Sequence, residues 1–139
     1  MPSAQDVILI GILLLALVTV ESGGYFLTRV VRGHVPVNRL QQGFFRAGHA
    51  HAAVLLVLSI AILAVIGHAA LDGFWLWLAR TGVPIAAILM PAGFFLSVTG
   101  KDPERPNRLI MLLWIGVAVL TAALITAGIG LIAGGIAAL

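Results

Sequence analysis

The side chains best suited to chemistry in this sequence are one glutamate, one arginine and two histidines. Residues 44–53 read FFRAGHAHAA and lead straight into VLLVLSIAILAVIG, so Arg46, His49 and His51 stand at the mouth of an apolar run. Glu21 follows directly on another apolar run, Val7–Val20. Imidazole and carboxylate groups can ligate a transition metal, and imidazole can hold haem iron or relay a proton. A carboxylate inside a bilayer is costly unless paired or protonated, which makes it a functional candidate by default.

Helical geometry limits how these groups can meet. Tyr25 and Thr28 lie at i+4 and i+7 from Glu21, giving a polar stripe Glu21–Tyr25–Thr28 beside the small Gly24. Gln42, Arg46 and His49 share a face in the same way. Glu21 lies about 22 Å along its helix at 1.5 Å per residue. Counted from the connected ends of the two helices, Arg46–His51 falls at about that depth, so Glu21 is expected to meet Arg46, His49 or both. Glu21, Tyr25, Arg46 and His49 then form a polar cluster or proton relay. His51 is turned about 200° from His49 and faces another helix, another subunit or lipid headgroups. His68 lies roughly 25 Å further along and cannot join either. Simpler readings stand beside these. Arg46 can snorkel to the interface, Glu21 can be a structural lock between helices, and His34 and His68 fit interfacial loops.

The elements that must position these groups are membrane helices. Of the 139 residues, 61% are hydrophobic and only 9% charged, against roughly 25% charged in a soluble domain. About 20 apolar residues cross the hydrocarbon core, and four such spans fit, at about 7–31, 44–67, 83–99 and 107–134. The fold class expected is all-α: an integral membrane four-helix bundle with four transmembrane helices, a single domain over 1–139. The first run reads as a span rather than a secretory signal, because its leader MPSAQD carries no lysine or arginine. There is no cysteine, hence no disulfide framework or thiolate site.

Charge supplies an orientation. Seven of the eight basic residues flank the first and third connections (Arg29, Arg32, Arg39, Arg46; Lys101, Arg105, Arg108), and only Arg80 is near the second. Short basic loops stay cytoplasmic, so these two connections are expected in the cytoplasm and both termini outside a plasma membrane. The net charge of +3 reflects this distribution and makes no nucleic-acid-binding face. Phe74, Trp75 and Trp77 fit an aromatic belt at the outer interface. Pro84 is expected to start the third helix and Pro91 to kink it, and GKDPERPNR to form a tight turn. The last span is rich in small residues. Gly128, Gly130 and Gly134 mark a helix-packing face, used either within the chain or between copies.

Three segments carry a family likeness: ESGGYFLTRVVRG (21–33), QQGFFRAGHAHAAVL (41–55) and GFFLSVTGKDPERPNR (93–108). With these the chain resembles an uncharacterised family of short four-span membrane proteins from actinobacteria. The resemblance covers nearly the whole chain, implies no activity, and supports treating Glu21, Arg46, His49 and His51 as a set. GHAHA at the opening of a membrane helix is similar, over a few residues, to histidine-bearing helices of the haem-copper oxidases. An acid in the first of four spans is similar to the small multidrug-resistance transporters, although the long basic first loop and GHAH depart from them.

No nucleophile–base pair, phosphate loop or carboxylate pair suggests a hydrolase or kinase, and an enzyme is not the expectation. The first reading is a membrane protein whose Glu21, His49 and His51 bind a transition metal, haem or a proton. A closed site would need further ligands from a second subunit or water. The alternatives are an accessory or assembly subunit of a larger membrane complex, and a small proton-coupled transporter using Glu21. The partners expected are the lipid bilayer and either further copies of the chain or other membrane subunits.

Overall fold

The computed structural model describes residues 2–139. Four helices follow one another: α1 (Ala4–Val31), α2 (Arg39–Val65), α3 (Gly73–Ser97) and α4 (Met111–Ala137). Single 3-10 turns, Ile66–His68 and Arg108–Ile110, end α2 and lead into α4. All four are long and apolar enough to cross a membrane, and the fold is an all-α, multi-pass membrane bundle.

Local chemistry sets the helix starts. Ser3 and Asp6 form a capping box at α1, with Ser3 N donating to Asp6 Oδ2 (2.8 Å) and Asp6 N to Ser3 Oγ (3.3 Å). Asn38 and Gln41 do the same for α2, with Gln41 N donating to Asn38 Oδ1 (2.9 Å) and Asn38 N to Gln41 Oε1 (3.1 Å). That box begins α2 at Arg39 rather than near Phe44. In α3 the aromatic stretch FWLWLART is itself helical, so Pro84 lies inside the helix together with Pro91 and does not start it. The proline φ suits a helix, and only the carbonyl one turn back loses its donor.

Consecutive helices are neighbours in space, with α3 between α2 and α4 and α1 packed on α2. The core joins Leu13 of α1, Leu55, Leu56 and Leu63 of α2, Val83, Ala86, Ala87 and Met90 of α3, and Ala123 of α4. Glycines let α3 and α4 approach closely. A Cβ on Gly82 would lie 2.5 Å from that of Ala123, and one on Gly116 would lie 2.6 Å from Met90 Cγ. The contrast with α1 is large: only Asp6, Leu13 and Val30 of its 28 residues are buried.

The glycine-rich end of α4 receives the α2–α3 connection of the same chain. Ala70 N donates to Gly130 O at 2.9 Å, and a Cβ on Gly134 would run into His68 O. Gly128, expected on the same packing face, has nothing within 4 Å of a Cβ position. Two residues turn a helix by about 200°, so Gly128 points away from the surface that Gly130 presents.

Candidate functional site

Glu21, Arg46, His49 and His51 lie in the half of the bundle nearer the α1–α2 and α3–α4 connections. Those connections are held together by Gln41, which is 5% exposed; its Nε2 donates to Val98 O (3.1 Å) and Gly100 O (3.0 Å). Asn38 Nδ2 adds bonds to Asp102 Oδ1 and Pro103 O, both 2.8 Å. Aromatic rings fill the level above. Phe45 touches Phe26 of α1 and Phe95 of α3 at 5.6 Å each, and Phe44 touches Phe94 at 5.7 Å. Gly48 makes room for them, since a Cβ there would meet Phe95 Cε2 at 2.9 Å and Phe94 Cβ at 3.0 Å.

His49 and His51 go to different helices. His49 lies over a glycine notch in α1, its Nδ1 3.2 Å from where a Gly23 Cβ would stand and its Nε2 3.6 Å from that of Gly24. His51 turns to α3, its ring centroid 5.0 Å from that of Phe94. Its Nδ1 is 2.8 Å from Ala47 O. A carbonyl can only accept, so this bond puts a proton on Nδ1, and in the neutral ring the lone pair is then on Nε2.

The expected meeting of Glu21 with Arg46 or His49 does not occur. Glu21, Tyr25 and Thr28 are exposed on α1, Thr28 along a groove that Arg46 of α2 also lines, and Arg46 is exposed on α2. Among the described residues the ion pair formed is Asp6–Arg80, and Glu21 makes no hydrogen bond. Gly24, expected to leave room beside Glu21, receives the His49 ring instead, together with Gly23. Glu21, His49 and His51 therefore point in three directions, and no three histidine, aspartate or glutamate side chains converge among the described residues.

Glu21 also differs from its polar neighbours on α1. Thr19, Ser22 and Thr28 each return their hydroxyl to a carbonyl three residues back, at 2.6 Å, which satisfies the donor without a second helix. A carboxylate has no such outlet. It accepts hydrogen bonds, and the N–H groups around it are already spent within the helix.

The opposite end of the bundle holds an ion pair that sequence reasoning missed. Arg80 Nε lies 2.9 Å from Asp6 Oδ1, off the line of the N–H bond, and Nη2 donates to Asp6 Oδ2 at 3.0 Å. Nη2 also reaches Ser3 Oγ at 3.3 Å, so the cap of α1 and the cation of α3 form one network. The Asp6 side chain is 1% exposed and that of Arg80 23%. A groove of about 330 Å³ runs beside the pair, lined by Gln5, Leu9, Leu76 and Trp77 among others. A signal was present: Asp6 and Arg80 are isolated charges that an up-and-down topology brings to one end.

What the site can do chemically is set by these directions. It offers one unpaired carboxylate on an outer helix face, one imidazole enclosed between α1 and α2, and one imidazole with a free Nε2 beside α3. Comparison with family models, with curated proteins and with solved structures returned no match.

Proposed function

We propose that this protein is an assembly subunit of a membrane complex, docking through the outer face of α1 on another transmembrane helix. One observation carries the reading: Glu21 stands exposed and unpaired on a face that is apolar from Val7 to Val18, while the hydroxyls of Thr19, Ser22 and Thr28 near it are satisfied locally. Apolar exposure on a membrane helix calls for nothing but lipid. A carboxylate calls for a donor or a cation at its own depth, and the partner helix supplies it. The sparse burial of α1 leaves that face free from Val7 to Tyr25. The complex sits in the plasma membrane with the two basic connections in the cytoplasm, as the arginine distribution favours.

Site-specific photocrosslinking from Val18, which is exposed one turn before Glu21, tests the docking. A protein adduct, to a second copy or to another subunit, that disappears in Glu21→Leu is the expected result. Adducts to lipid alone would overturn the reading.

The same observation admits a second role. Closed by another copy, the face would make Glu21 the titrating group of a small proton-coupled transporter. Flux in liposomes should then be lost in Glu21→Gln, and flux that survives removes that role. Metal or haem binding would draw on His51 Nε2 with ligands from another chain, and metal and haem analysis of gently purified protein decides it.

A further inference from the structure

A groove of about 440 Å³ lies between the last turn of α1 and the beginning of α2, lined by Leu27, Thr28, Val31, Arg32 and Arg46. We propose that it binds one anionic glycerophospholipid, with the phosphate between the Arg32 and Arg46 guanidinium groups and an acyl chain along Leu27. The site shares only Thr28 with the face of α1 that carries Glu21 and does not rest on what docks there.

The charge is uncompensated. Among the described residues neither Arg32 nor Arg46 forms a side-chain ion pair or hydrogen bond, the ion pair of this chain being Asp6–Arg80 at the opposite end. Two other grooves show the contrast. The one beside Asp6 and Arg80 carries its own neutralising pair, and the one at Pro36, Val37 and Asn38 holds Lys101 together with Asp102. Only the Arg32–Arg46 groove of these three presents two like charges and no acid.

The geometry suits a lipid better than a free anion. Arg32 caps the C-terminus of α1, at the level where the helix leaves the apolar region. Arg46 starts deeper in α2, and its long side chain reaches back toward the interface. Between them the lining is Leu27 and Val31, the latter 66% exposed, which suits hydrocarbon. The Thr28 hydroxyl donates its proton to Tyr25 O at 2.6 Å, so it offers the headgroup no donor. Recognition falls to the two guanidinium groups, which favour phosphate without a compensating ammonium. Phosphatidylglycerol fits; phosphatidylcholine brings a third cation to the site.

Native mass spectrometry of the full chain with added phosphatidylglycerol, phosphatidylcholine or glycerol 1-phosphate tests this. One phosphatidylglycerol should bind tightly, and Arg32→Gln with Arg46→Gln should weaken it by roughly 30-fold, taking each cation at its usual worth near a membrane surface. Arg105→Gln, in the α3–α4 connection, should leave the affinity unchanged. Helical circular dichroism and a monodisperse elution check the fold. Should the glutamine variant not fold, Arg32→Lys with Arg46→Lys keeps the charge and should retain binding that salt weakens, while losing the bidentate geometry. The proposal fails if the folded glutamine variant binds like wild type or if Arg105→Gln loses as much. It fails equally if phosphatidylcholine binds as well, or if glycerol 1-phosphate competes at equal concentration.

Discussion

Asp6 and Arg80, 74 residues apart in sequence, join the first turn of α1 to the second turn of α3 through a two-point contact, Nε–Oδ1 at 2.9 Å and Nη2–Oδ2 at 3.0 Å. With the helix cap of Ser3 on the same carboxylate (Oγ to Oδ2, 2.6 Å), it is the principal polar tie between α1 and α3. Breaking a fully buried pair costs about 3–5 kcal/mol. Arg80 keeps some exposure, so Asp6→Asn and Arg80→Gln should each lower stability by about 2 kcal/mol. Unfolding in mixed micelles measures this, and the double variant should lose clearly less than the two single losses together. Additive losses would show that the two side chains act separately.

Gly134 and Gly128 give a matched comparison on α4. Gly134→Ala sets a Cβ against His68 O, and the α2–α3 connection must move away. A loss of about 1–3 kcal/mol is expected from overpacking. Gly128→Ala meets nothing within 4 Å and should be neutral or gain up to about 1 kcal/mol in helix propensity. The order of the two apparent melting temperatures checks it.

Gly48 lies beneath both Phe94 and Phe95, and Phe94 is the ring that His51 faces. Gly48→Val should separate α2 from α3 at this level and lower stability by about 1–3 kcal/mol. The His51 ring resonances should shift in the same variant while those of His68, at the other end of α2, stay in place. Unchanged His51 resonances would mean that the contact with Phe94 is not set by Gly48.

Gln41 donates from one nitrogen to two carbonyls of the α3–α4 connection, Val98 O and Gly100 O. Gln41→Glu keeps the shape and replaces the donor with an oxygen facing two oxygens. It should cost more than Gln41→Met, which leaves the carbonyls unpaired at about 1–3 kcal/mol. Hydrogen exchange across residues 98–103 should quicken in both variants, and more in the glutamate.

These contacts differ in how far they could be read from the residues alone. Four spans were legible because an apolar run of membrane length leaves little else for a chain to do. The separation of His49 from His51 follows from about 100° of rotation per residue. The partners of those rings did not follow, because Gly23, Gly24 and Phe94 lie on other helices. Asn38 with Gln41 carries a capping-box pattern, yet its second role, holding residues 98–103, depends on two connections meeting at one end.

The sequence by itself determined which segments are helices, where they turn, and which neighbours along the chain pack together. Only the tertiary structure decided which way each helix faces. In water, hydrophobic periodicity distinguishes inside from outside, but here core and surroundings are both apolar and α1 is apolar nearly all round. Its polar residues were the remaining guide to a facing direction, and they misled. Close packing turned the glycines Gly23 and Gly24 toward His49 and carried Glu21 outward, while Asp6, which also closes the capping box with Ser3, was buried against Arg80.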